Sequence, residues 1–250
     1  MNKFLLILAC LAIAGCSPPM TATVPPSPQP VSIAFSPSLE IIEDALRTCA
    51  NNHPEIALFI DKRPVTSIDY DTSDLTLWWG EKPAEVSFAY PLAQDELVII
   101  LNHANSNSNL STNELRALYS GKVHNWDEIS INQHTVSVWS YPEGNELRGI
   151  LHENLLGEQR LTPLAFLAPS PQAMLEAVTS DPGAIGFIPR SWINQHVFST
   201  QIDMDLEKVL SKPVLALANT KPLGGSLILL DCLQNGVGQT ALLEHFSPPN

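Results

Sequence analysis

Apolar residues along this chain fall into short runs of two kinds. Runs of about five residues at Val31–Phe35, Ile56–Ile60, Leu75–Trp79, Leu97–Leu101, Val136–Trp139, Ala184–Ile188 and Val214–Ala218 have the length and the flanking turn residues of strands. Between them apolar positions recur at helical spacing. Ile41, Ile42, Ala45, Leu46 and Cys49 share one face of a helix predicted from Leu39 to about Ala50, with Ser38 as its cap. Asn51-Asn52-His53-Pro54 stops it. Ser111 and Glu114 have capping-box spacing ahead of Leu115, Leu118 and Tyr119, and Gly121 ends that short helix. Further helices are predicted over Glu146–Leu156, from Ser170-Pro171 to about Thr179, from Gly225 to about Gln234, and over Val237–His245. Asp181-Pro182-Gly183 reads as a turn. Strands alternating with helices predict an α/β layer with parallel pairing.

The first apolar run is of another sort. Phe4–Ala14 follows Lys3 and leads into Ile13-Ala14-Gly15-Cys16. That pattern predicts a secretory signal peptide over residues 1–15. The cysteine directly after small residues resembles the lipobox of bacterial lipoproteins. The resemblance implies that Cys16 becomes the mature N-terminus and carries acyl chains such as palmitate. The protein is then exported and anchored to the extracytoplasmic face of a cell membrane. Residues 17–30 hold six prolines among Ser and Thr, so 16–30 is expected to be an extended spacer and the folded body to start near Val31.

Composition narrows the function. Of 250 residues 44% are hydrophobic and 16% charged, enough apolar material for a core, which excludes wholesale disorder. Thirteen Lys and Arg against 26 Asp and Glu give a formal charge of −13, which argues against a nucleic-acid partner. Beyond the N-terminus no apolar run approaches the ~20 residues that span a bilayer. With Cys10 lost and Cys16 as the anchor, Cys49 and Cys232 remain. In an exported protein such a pair forms a disulfide; two buried helix residues acting as small hydrophobes is the other reading, and both stay open. No CxxC or His-Cys spacing suggests zinc, and no metal or cofactor is expected. The chain has no Gly-x-Ser-x-Gly, no His-Glu-x-x-His and no phosphate loop, and its seven histidines lack ligand spacing, so it is not expected to be an enzyme.

Four segments together resemble one family. Leu110–Ile129 contains a capped helix, a Gly121-Lys122 turn and Asn125-Trp126 before another short helix. Asp181–Phe187 reads Asp-Pro-Gly-Ala-Ile-Gly-Phe, Leu233–Leu243 ends in a Gly-Gln-x-x-Leu helix, and Asp74–Lys82 matches a strand and loop. In this order they resemble PstS-like phosphate-binding, type 2 periplasmic substrate-binding proteins, over roughly 31–250. The resemblance implies two α/β lobes joined by two crossover strands with a ligand between them. Lobe 1 would hold 31–97 and 212–250, and lobe 2 with the crossover segments 98–211. Leu97–Leu101 would be one crossover and the return would lie within 188–213.

The resemblance also implies a site. Ser36 and Ser38 follow the first strand, where family members grip an oxyanion; Asp74 matches an aspartate that accepts a hydrogen bond from a protonated oxyanion. Tyr141 falls where the family has an arginine, and Asn145-Glu146-Leu147 falls where it has Ser-Gly-Thr. Arg148 is the nearest replacement cation, with Lys82 and Arg63 as others. Glu146, and Glu40 in the first helix, would repel a bound anion if they face the ligand. Trp78-Trp79 offers either packing or an aromatic wall for a sugar, nucleobase or cation. Two functions follow. One is a lipid-anchored solute-binding protein that captures a small oxyanion such as phosphate for the membrane subunits of an ABC importer. The other is a sensing, envelope-interaction or binding protein of the same fold with a non-oxyanion ligand or no transport role.

Overall fold

The computed structural model describes residues 27–105, 109–130 and 133–249. The expected signal peptide, Cys16 and the spacer through residue 26 lie outside the described residues. The first strand, β1 (Gln29–Phe35), starts inside the expected spacer, two residues before Val31. It is drawn in by pairing: Gln29 N–H donates to the Glu55 carbonyl at 2.8 Å, and Gln29 Oε1 accepts from Gly225 N at 2.8 Å. Pro30 is tolerated because only β2 (Ile56–Lys62) pairs at that level, so the missing N–H costs no second partner. Both β2 and β3 (Leu75–Trp79) run parallel to β1.

The helix after β1 opens differently from the expectation. Pro37–Ile42 form 3₁₀ turns and α1 runs Glu43–Asn52. Ser36, not Ser38, stands at the cap position, with Pro37 at the first helical residue, and Ser38 is buried within the turns. The apolar face is as predicted: Ile42, Ala45, Leu46 and Cys49 are buried.

Next comes β4 (Phe88–Asn102), fifteen residues long, of which the apolar pattern revealed only the last third. It is followed by β5 (Asn109–Leu110), α2 (Thr112–Tyr119), β6 (Ser137–Ser140), α3 (Glu146–Leu151), β7 (Phe166–Leu167), α4 (Pro171–Ser180) and β8 (Ala184–Pro189). The chain then turns through Arg190–Trp192 into β9 (Val197–Ser199), β10 (Gln201–Ile202), α5 (Met204–Leu210) and β11 (Ser211–Ala218). It ends in α6 (Gly225–Asn235) and α7 (Val237–Leu242).

The strand order is β2-β1-β3-β11-β4-β8-β6-β7, with β9 also on β4. The outer pairs on each side are parallel, as the alternation predicted, whereas β4 and β11 are antiparallel to their neighbours. The reason is topological. β4 carries the chain out of one lobe into the other, pairing β11 as far as Glu96 and β8 from Leu97 onward; β11 brings it back in the opposite sense.

Two of the sequence motifs explain each other. Trp126 is fully buried, and its indole N–H donates to the Gly183 carbonyl at 2.9 Å. Gly183 packs so closely on Thr135 that an added Cβ would lie 2.0 Å from the Thr135 carbonyl oxygen, so only glycine fits. The α2 capping box forms, Ser111 Oγ accepting from Glu114 N and Glu114 Oε2 from Ser111 N. Cys49 of α1 and Cys232 of α6 are joined in a disulfide, so the pair is both buried and bonded. Trp79 lies in the main core. Trp78 points to the other face of the sheet, packed edge-on to Tyr70 at 6.0 Å in a small cluster with Val86, Leu215 and Leu217. Both tryptophans are packing groups.

Candidate functional site

In open α/β sheets ligands bind beyond the carboxyl ends of parallel strands. Here those ends converge on one cleft. Pro37 follows β1 and Thr66 follows β2; Glu143 to Glu146 follow β6 and Pro169 follows β7, and together they line a cavity of about 370 Å³ between the two lobes. The lobes nearly meet across it: Gly144, with φ +83°, lies so close to Thr66 that an added Cβ would stand 3.1 Å from Thr66 Cγ2. A hydrogen bond spans the gap, the buried Ser36 hydroxyl donating to Glu146 Oε1. Behind it the Trp192 indole N–H, from the turn after β8, donates to the Ser38 carbonyl at 2.8 Å.

The residues expected at the site divide. Ser36 and Asn145 reach the cleft, and Asn145 Oδ1 also caps α3 by accepting from Leu147 N at 2.9 Å. Ser38 is buried beside them. Asp74 is elsewhere. It precedes β3 and therefore marks that strand's amino end, away from the carboxyl ends that build the cleft; its carboxylate accepts from Ser32 N and Oγ at 2.8 and 2.7 Å. Tyr141 follows β6 at the right place, but its ring turns into the core, edge-on to Phe187 at 5.1 Å, and its hydroxyl donates to the Phe187 carbonyl at 3.0 Å. Burial pushes the pKa of that hydroxyl well up. Tyr141→Phe is expected to cost about 1–2 kcal/mol of stability by orphaning the buried carbonyl, while leaving the cleft's affinity for any solute as it was; urea unfolding alongside titration calorimetry checks both halves.

Arg148 bonds the Tyr141 carbonyl at 3.2 Å rather than lining the cleft. The other candidate cations are engaged as well, Arg63 with Asp61 and Lys82 with the Pro83 and Val86 carbonyls, and Lys62 beside them pairs with Glu40 and Glu43. Glu40 thus faces Lys62 and does not line the cleft. Lining residues Val65, Thr66 and Glu143 were missed, although the strand-end rule applied to β2 and β6 points to them. Among the described residues no group of His, Cys, Asp and Glu has the arrangement of a metal site.

A larger cavity, about 470 Å³, lies at the crossover and is lined by Glu96, Arg190, Thr200 and Met204 among others. Its wall is the ion pair of Arg190 with Glu96 at 2.8 Å. Beside it Asp95 is buried and accepts from Ser191 Oγ at 2.7 Å, Ser191 N at 3.2 Å and Glu96 N at 2.8 Å. Burial outweighs these bonds and pushes its pKa up to about 6.

Comparison with known proteins agrees with this geometry. A family model described as a PBP superfamily domain matches residues 67–241. Among solved structures, a protein from Clostridium perfringens assigned to phosphate ABC transport as a substrate-binding protein, solved with bound phosphate, superposes with a TM-score of 0.79 at 20% identity, covering 89% of this chain and 100% of that one. An ABC-type phosphate transport receptor from Vibrio cholerae gives 0.69 at 20% identity, covering 88% and 100%. The regulatory domain of MetR, a LysR family regulator from N. meningitidis, gives 0.61 at 16% identity, covering 89% and 97%. The fold therefore serves both transport and regulatory proteins. With a family model matching most of its length and the two-lobed, twice-crossed sheet in place, the chain belongs to the PBP superfamily.

Proposed function

We propose that this chain is the extracytoplasmic solute-binding component of an ABC importer, tethered through a lipidated Cys16 and the 16–30 spacer. Residues 31–97 and 212–250 form one lobe and 98–211 the other, and a small solute is captured between them. The role is capture and release, with no chemistry. The open lobes admit the solute, and closure is favoured only by its stronger binding to the closed form. The observation that carries the reading is the cavity of about 370 Å³ at the carboxyl ends of strands from both lobes, spanned by the Ser36–Glu146 hydrogen bond. The same two carboxylates, Glu143 and Glu146, favour a solute other than a fully ionised oxyanion. Phosphate is the second reading, favoured by the likeness to the two phosphate-transport proteins.

A thermal-shift screen of phosphate, sulfate, molybdate, amino acids, sugars and polyamines tests the role. At least one class is expected to raise Tm, and the same class to reduce the radius of gyration as the lobes close. Silence across the whole panel from a folded sample would remove the solute-binding reading.

A further inference from the structure

We propose that Glu146 sets the charge selectivity of the cleft: its carboxylate occupies the place beside Ser36 that an anionic ligand would need, so the native cleft rejects anions and loss of that one charge admits them. The inference rests on the cleft being the solute site, as read above.

A serine hydroxyl has a single proton to donate. That of Ser36 is buried and already donates to Glu146 Oε1 across the gap between lobes. An anionic oxygen arriving there has no proton to receive and meets a like charge at hydrogen-bond range, where the partly desolvated setting strengthens repulsion. The remaining lining adds to the barrier. Glu143 contributes a second carboxylate, and no Lys, Arg or His stands among the described residues that line the cavity. The cations closest in sequence to the lining residues are committed elsewhere: Arg148 to the Tyr141 carbonyl, Arg63 to Asp61, and Lys62 to Glu40 and Glu43. With an apolar rim of Pro37, Val65 and Pro169 the cavity suits a small solute that is uncharged or cationic and brings its own donors to the Glu146 carboxylate. A neutral side chain at 146 would free the Ser36 proton or share it with a neutral acceptor, and would lift the like-charge repulsion.

The test is titration calorimetry with inorganic phosphate on the purified full-length chain, comparing the wild type with Glu146→Ser and Glu146→Gln. The glutamine variant keeps the shape and the Ser36 contact, so it guards against a serine variant that fails to fold. The wild type is expected to give no heat with phosphate at millimolar concentration. Both variants are expected to bind it at least tenfold more tightly, with serine the tighter. Adding Ser36→Ala to the serine variant is expected to abolish the gain, which locates it in the cleft. If the wild type binds phosphate as tightly as the variants, the selectivity claim is overturned while the cleft remains a solute site. If wild type and variants alike respond neither to phosphate nor to any member of the solute panel, the inference falls together with the solute-binding reading.

Discussion

Replacing Cys49 and Cys232 together by alanine is expected to lower the unfolding free energy by about 3–5 kcal/mol, the largest effect of any change considered for this chain. The two cysteines are 183 residues apart in sequence, and loop-closure entropy for a loop of that size amounts to about 5 kcal/mol in the chain-entropy account. The loop matters because of what it encloses. One lobe is assembled from two distant pieces, β1 to β3 with α1 at the start and β11 with α6 and α7 at the end, and the whole second lobe is inserted between them. The bond from α1 to α6 keeps those pieces together in the unfolded chain, so that folding no longer has to bring them in from a distance. Alanine is the right replacement, since both sulfurs are buried and serine would add a polar group there. Urea unfolding of the wild type, the reduced wild type and the double variant should place the last two at the same, lower midpoint. A double variant that unfolds with the wild type would mean that the staple constrains nothing.

How far the sequence revealed the fold depended on whether each residue's environment was uniform. Ala184–Ile188 is buried throughout and Leu75–Trp79 is buried but for half-buried Trp78, so each reads as a largely apolar run and each is a strand within a residue of the expectation. β4 shows the opposite case. Its last third lies in the core and was legible. Its first part runs from exposed Phe88 through half-buried Ala89 and Tyr90 and exposed Pro91 to consecutive buried Leu92 and Ala93, with no period of two and with a proline, a pattern that does not announce a strand. Its pairing partner, β11, lies more than a hundred residues away, and no local signal reports it. The same holds for β5, β7, β9 and β10, which are two or three residues long and exist only because a neighbour is in place. The motifs carried more than the periodicity did, because Trp126 and Gly183 are joined by a hydrogen bond and fix the same corner of the fold.

The site was less legible, for a reason of polarity. Matching Asp74 to a strand-borne ligand group took account of the strand but not of its direction: in a parallel sheet only the carboxyl end reaches the cleft, and Asp74 stands at the other end, bonded to Ser32. Tyr141 and Arg148 fell at plausible positions in the chain, but an aromatic ring gains more from the core than from a wet cleft, and the guanidinium found a backbone carbonyl at 3.2 Å. What the sequence did contain was the disturbance: a carboxylate at 146, which the structure places against Ser36 in the cleft.

A second large effect is expected at the crossover and follows pH. Asp95 has a pKa near 6 in the folded protein against an ordinary value of 3.8, because burial disfavours its charged form. For an acid raised in this way the folded state binds more protons than the unfolded one between about pH 4 and 6, so stability falls as pH rises through that window. Below it the penalty is absent; above it the penalty is complete, at roughly 3 kcal/mol for a shift of about two units. Glu96 beside it, also raised by burial though held down in part by Arg190, acts in the same direction. Asp95→Asn isolates the first contribution. An amide oxygen in the place of Oδ1 still accepts from Ser191 N and Glu96 N, and its NH₂ can donate to the Ser191 oxygen once that hydroxyl turns. The contacts therefore survive while the charge does not. In urea unfolding at pH 4, 5, 6 and 7 the variant is expected to match the wild type at the acid end and to exceed it progressively towards neutrality. A difference that stays constant with pH would show that Asp95 is not the titrating group. Asp95 lies on β4 where its pairing passes from β11 to β8, and Ser191 lies in the turn by which the chain leaves β8. A charge kept there at a cost in stability sits where the outgoing strand passes between the lobes, and it ties that strand to the turn by which the chain leaves β8.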